Sequence, residues 1–178
     1  KQYNTAVDAT NSRSLRIAQA NMQIEAQKQS SDTNITLIAE LAERYPVAIR
    51  PKYELAQQAL QVNEKALAKS ALLYIAEHKP QWAADILPLL QQCNLAGEEW
   101  YQLLSHLANK HNNITATVLL AAWLSEHGSA TAAEQFLLDK LTQQPSIRLF
   151  QQLLQIRQQQ SAPAAEVLSS VKELVNAY

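Results

Sequence analysis

Leu41-Ala42-Glu43-Arg44-Tyr45-Pro46 and Ile75-Ala76-Glu77-His78-Lys79-Pro80 decide how this chain folds. Each is the tail of an apolar helical pattern stopped by a proline, which lacks an N–H and cannot continue the hydrogen-bond ladder. The two prolines lie 34 residues apart, and Ala42-Glu43 recurs as Ala76-Glu77 at the same offset. The surrounding composition agrees with a helical chain. Ala (28), Leu (26) and Gln (21) fill about two fifths of the 178 residues, and all three are good helix formers. Two glycines leave little material for hairpin turns or a Gly-rich nucleotide-binding loop. The net charge of −1 argues against a nucleic-acid binder, which carries a basic stripe.

Thirty-four is the period of the tetratricopeptide repeat, a helix–turn–helix unit whose pattern ends in proline. In that register Lys52 stands where the pattern has Trp, Leu55-Ala56 matches its Leu-Gly pair and Ala59 replaces Tyr. Ala68 with Leu72 matches Ala-x3-Phe. Counting back from Pro145 puts Leu120-Ala121, Gly128, Ala133 and Leu137 at the corresponding places. Small residues there let helices approach closely, and Leu fills the space between pairs. The unit from Pro80 to about Asn113 is less regular, and the one after Pro145 is the most degenerate.

Periodicity and caps predict ten helices in five antiparallel pairs: about Asn11–Lys28, Asp32–Arg44, Val47–Val62, Glu64–His78, Gln81–Asn94, Gly97–Lys110, Thr115–His127, Ala130–Gln143, Ser146–Gln159 and Pro163–Asn176. Ser31 or Asp32 caps the second. The first ten residues either fray or finish an earlier repeat. The expectation is one all-α, tetratricopeptide-like solenoid domain over residues 1–178. It starts at Lys1 with no secretory pattern, so it reads as a piece of a longer protein. No run approaches the roughly 18 apolar residues of a membrane-spanning helix, so this piece is expected to be soluble.

Chemistry is sparse. Cys93, the one cysteine, cannot form an internal disulfide and reads as a small core residue. His106 and His111 are five apart, about 140° around a helix, and neither they nor His78 and His127 fit a metal-ligand spacing. His78 and His127 fall in last turns, where the helix dipole favours imidazolium. Glu98-Glu99 beside Gly97 suits a helix start better than acid–base catalysis. Trp82, Trp100 and Trp123 sit in apolar helical patterns and read as packing residues. The reading is a non-enzyme with no catalytic residue, metal or cofactor.

Recognition is what the architecture supports. The first helix of each pair lines the inner face of such an array. On that face the register places Arg50, Tyr53, Gln57 and Gln61 from one unit, Gln91 and Asn94 from the next, and Gln152 from the last. They either form a neutral, amide-rich groove for a polypeptide or are ordinary solvated side chains. Replacing Arg50 and Tyr53 by Ala is the corresponding binding test.

The stretch Ala132-Ala133-Glu134-Gln135-Phe136 through Leu141-Thr142-Gln143-Gln144-Pro145-Ser146-Ile147-Arg148-Leu149-Phe150 resembles the last helical repeats of the lipopolysaccharide assembly protein B family. Leu89-Leu90-Gln91-Gln92-Cys93 and Trp100 with Leu103-Leu104 run parallel to it upstream. The resemblance spans roughly residues 20 to 178, clearest between 85 and 155, and rests on collinearity. It implies repeats on the cytoplasmic side of a Gram-negative inner membrane, between an N-terminal membrane helix and a C-terminal four-cysteine metal module that this sequence lacks. It also implies an adaptor that links the deacetylase committing precursor to lipid A to a membrane-anchored AAA+ zinc protease, under a membrane-bound sensor of lipopolysaccharide. The other readings are a tetratricopeptide chaperone or assembly factor, and a repeat region attached to a glycosyltransferase-type enzyme. The exposed ends of such an array also allow self-association.

Overall fold

The computed structural model describes residues 2–28, 35–159 and 169, and these residues are all-α. The helices are α1 (Gln2–Lys28), α2 (Ile35–Arg44), α3 (Ile49–Gln61), α4 (Lys65–His78), α5 (Ala83–Gln92), α6 (Gly97–Lys110), α7 (Ile114–His127), α8 (Ala130–Gln143) and α9 (Ile147–Gln159), with a short 3-10 turn at Pro80–Trp82 before α5. Helix α1 starts at Gln2, well before the expected Asn11, since neither Gly nor Pro interrupts residues 2–28. The expected cap at Ser31 or Asp32 and the tenth helix at Pro163–Asn176 lie outside the described residues.

The repeat is visible in the helix starts. Helices α3, α5, α7 and α9 begin at residues 49, 83, 114 and 147, giving steps of 34, 31 and 33. The register residues are buried as the pattern requires: Leu55, Ala56, Ala59, Ala68, Leu72, Leu120, Ala121, Ala133 and Leu137. Ala56 and Ala121 are 0% exposed, so the alanines mark the closest helix contacts.

The chain divides into two compact units, Lys1–Leu95 and Ala96–Tyr178. The division falls between α5 and α6, the helices that the sequence register joins in one repeat. In the first unit α3 packs against α2 and α4, and α4 against α5. Helix α3 also touches α1 and α5, so first helices of successive repeats lie side by side. Ala20 and Ile24 of α1, Ile38 and Leu41 of α2, Ile75 of α4 and Ile86 of α5 are buried.

In the second unit α7 packs against α6, α8 and α9, and α8 against α9. Ala121, Ala133, Leu137, Leu141, Leu149, Leu153 and Ile156 form its core, with Val118, Phe136 and Phe150 packed at the edge. Arg157 Nε of α9 donates to Glu134 Oε1 of α8 at 2.8 Å at the margin of that core.

Turns are made with asparagine. Asn63, Asn94 and Asn112 have φ of 62°, 55° and 47°, each just past the end of a helix. Asn tolerates this left-handed conformation better than other side-chain-bearing residues, which is how a chain with two glycines ends three helices sharply. At the end of α3 the Asn63 N–H donates to the Leu60 carbonyl at 3.1 Å and the Glu64 N–H to the Ala59 carbonyl at 2.7 Å, a Schellman ending.

Gly128 ends α7, where a Cβ would lie 2.9 Å from the Leu124 carbonyl oxygen. Its small size therefore serves the helix end, not the close approach of two helices that the repeat pattern suggests. At the start of α6, Glu99 Oε2 accepts from the Ala96 N–H at 3.2 Å, the capping role expected of Glu98-Glu99. Among the described residues no helix is long and apolar enough to cross a membrane.

Candidate functional site

Arg50, Tyr53, Gln57 and Gln61 follow one another by three or four residues along α3, so one stripe of that helix carries all four. The structure gives them different surroundings. The Arg50 guanidinium pairs with the Glu25 carboxylate of α1, tying the two first helices together. The Tyr53 ring packs on Trp82 at 5.6 Å between centroids and an interplanar angle of 59°. An Arg50/Tyr53 double alanine variant would thus disturb packing as well as any bound partner, and Gln57 and Gln61 are the cleaner probes.

Gln57 and Gln61 line an open hollow of about 340 Å³ together with Leu60 of α3 and Leu89 and Gln92 of α5. All five belong to the second half of their helices, α3 ending at Gln61 and α5 at Gln92. Gln92 takes the place expected for Gln91: adjacent helical residues point about 100° apart, and the turn of α5 presents the later one. Gln91 and Asn94 are exposed and do not line the hollow. The identity of Asn94 follows from its left-handed backbone. Gln152 is half-buried on α9, in the second unit.

Among the described residues no ionisable side chain lines the hollow. Cys93, next in sequence to Gln92, is buried, with Sγ 3.5 Å from the Leu89 carbonyl. Burial pushes its thiol pKa up, against the opposing pull of Lys65 and Lys69, so it stays protonated at neutral pH. The described lining is therefore three carboxamides and two leucine side chains.

Elsewhere several polar groups are committed to the fold. Lys52 Nζ donates to the Ala42 carbonyl at 3.2 Å and lies 4.2 Å from the centroid of the Tyr74 ring, whose hydroxyl donates to the Pro46 carbonyl at 3.0 Å. Tyr74 stacks on His78 at 4.0 Å, and Trp123 on His127 at 4.6 Å, each pair four residues apart at a helix end. Each histidine also places Nδ1 near the carbonyl four residues back, at 2.9 Å in His78 and 3.1 Å in His127, so that Nδ1 carries the proton. Tyr101 of α6 meets Trp123 of α7 at 4.9 Å. Trp82, Trp100 and Trp123 are all half-buried, at the edges of the core.

His106 and His111 come closer than their helical spacing implies, with ring centroids 5.2 Å apart. Helix α6 stops at Lys110, and the changed backbone at His111 swings its ring back toward His106. Among the described residues no group of three or more His, Cys, Asp or Glu is placed to hold a metal ion. The chain matches no protein-family model, and no curated protein matches it at a significant level.

Proposed function

We propose that this chain is a protein-binding adaptor built from tetratricopeptide-like helix pairs, not an enzyme. The observation that supports it best is the hollow between α3 and α5, whose described lining is three carboxamides and two leucines, on adjacent first helices of successive repeats. Such a surface offers hydrogen bonds and apolar contact to a polypeptide, and among the described residues its lining holds no nucleophile, acid–base pair or metal ligands.

Within that reading, the collinear resemblance between residues 85 and 155 supports a place in lipopolysaccharide control at the cytoplasmic face of a Gram-negative inner membrane. There the adaptor links the deacetylase committing precursor to lipid A to the membrane AAA+ zinc protease, under the lipopolysaccharide sensor. No cofactor and no nucleic acid enters this scheme. Affinity capture on the tagged chain from a Gram-negative membrane lysate tests it. Enrichment of both deacetylase and protease is the expected result. Reproducible absence of both rejects the assignment.

A further inference from the structure

We infer that His106 and His111 together form a two-imidazole site, open to water at the turn between α6 and α7, for a nitrogen-preferring divalent ion of the zinc, nickel or copper kind. The inference stands on residues away from the hollow and does not depend on the protein-binding reading.

The two rings have the separation that a shared ion requires. An ion about 2 Å from one nitrogen of each of two imidazoles, with a tetrahedral angle between them, sets the ring centroids roughly 5 Å apart. The centroids of His106 and His111 are 5.2 Å apart, with the planes inclined at 60°. Inclined rings can aim one nitrogen each at a common point, which face-to-face rings cannot. The other two histidines are face to face with an aromatic neighbour, His78 on Tyr74 at 13° and His127 on Trp123 at 9°.

The backbone holds both residues in place before any ion arrives. His106 lies within α6, and His111 follows its last residue. The Asn113 N–H donates to the Leu107 carbonyl at 3.1 Å, and Asn112 has φ of 47°, so the chain folds back at once. The Asn113 side chain then caps α7, accepting from the Ala116 N–H at 3.1 Å. His111 is thus fixed between two helix ends, and little chain entropy is lost when it takes a ligand.

The rings are also available. His78 and His127 each turn Nδ1 to a helix carbonyl, whereas among the described residues neither His106 nor His111 has a hydrogen bond or ion pair. His106 is exposed and His111 half-buried, so an ion reaches them from water and keeps water in its remaining positions. Imidazole selects this class of ion over Mg2+ and Ca2+, which take oxygen ligands. The negative end of the α6 dipole favours a cation here. Lys110, directly before His111, and Lys140, bonded to the Ala108 carbonyl, oppose it. Two protein ligands beside two ammonium groups make the ion exchangeable and not a permanent part of the fold.

The test titrates ZnCl2 into the whole chain in chelator-free buffer, with long-range 15N–1H spectra reading all four histidine rings. The expected result is a joint, saturable change at His106 and His111, with His78 and His127 unmoved and no response to MgCl2. His106→Gln and His111→Gln are each expected to weaken zinc binding by at least about tenfold, because one imidazole alone forms no chelate. A His78→Gln/His127→Gln variant is expected to bind as the parent does. No response to zinc, a response at one ring of the pair only, or an equal response at all four rings overturns the inference. Undiminished binding in either single variant overturns it as well. Should a variant lose helicity by circular dichroism, the parent spectra decide alone. Lysate capture of deacetylase and protease bears on the adaptor reading and leaves this site untouched.

Discussion

Lys140 of α8 donates from Nζ to the backbone carbonyl of Ala108 in α6 at 2.9 Å, across 32 residues of sequence. The last four carbonyls of a helix have no partner in the next turn, and α6 ends at Lys110, so Ala108 carries one of these orphan acceptors. The ammonium also sits at the negative end of the α6 dipole. Lys52 of α3 does the same for Ala42 near the end of α2. Two helix ends are thus completed by a lysine from a later helix.

Replacing Lys140 by Met keeps most of the apolar stem but leaves the Ala108 carbonyl, a buried acceptor, unsatisfied. The expected cost is about 1–3 kcal/mol. Urea unfolding followed by tryptophan fluorescence measures it. A K140M midpoint equal to that of the parent would show that water replaces the ammonium without loss.

The same lysine predicts a pH dependence. Burial lowers the Lys140 pKa from its ordinary 10.5. Between the lowered folded value and 10.5 the unfolded chain binds more protons, so stability rises with pH across that window. Below it the burial penalty is complete and independent of pH. The neutral amine keeps an N–H donor for Ala108, so the bond survives deprotonation. The stability of the parent relative to K140M should therefore climb as pH approaches 10.5 from neutrality. A falling difference would reverse the sign of the argument. Lys52, lowered mainly by burial and opposed by Glu43, is expected to behave alike.

Asn63 offers a test of the turn chemistry. Its φ of 62° is strained for a residue with a Cβ and free for glycine. Asn63→Ala is expected to cost about 1–2 kcal/mol, whereas Asn63→Gly should leave stability equal or higher. Thermal unfolding by circular dichroism separates the two. Equal losses in both variants would point to the Asn63 side chain and not to its backbone.

These asparagines also show where the sequence was opaque. The repeat was readable because Leu55-Ala56 and Leu120-Ala121 combine a fixed offset with a size requirement, and burial enforces both. Asn94 looked like a polar lining residue, because a single letter does not distinguish a side chain needed for contact from one tolerated at positive φ. Gln91 and Gln92 differ only by a 100° rotation, which a helix boundary uncertain by one or two residues does not resolve. The approach of His106 and His111 depended on where α6 stops. The Arg50–Glu25 and Tyr53–Trp82 contacts depend on which helices lie side by side, and local pattern does not encode that.

Ala121 tests the close helix contacts. It is 0% exposed within the core of the second unit. Ala121→Leu adds bulk with no space to take it, and a loss of about 1–3 kcal/mol is expected. Ala122→Leu, at a half-buried neighbouring position, should cost less. Paired thermal melts compare them. Equal tolerance at both sites would mean that α7 can move away from α8 and α9.

The side-by-side first helices, α3 with α1 and α5, and α7 with α9, have a kinetic consequence. Every helix contact described joins elements one or two places apart in the chain. Bringing such neighbours together closes short loops, and the entropy lost in loop closure grows only slowly with length. Among the described residues each unit thus has the short-range connectivity that goes with folding in microseconds to milliseconds, its packed pairs forming between near neighbours in the chain. The same connectivity lets opening begin at a terminal helix and travel inward one neighbour at a time. Amide exchange is therefore expected to grade from the outer helices toward α3 in the first unit and α7 in the second.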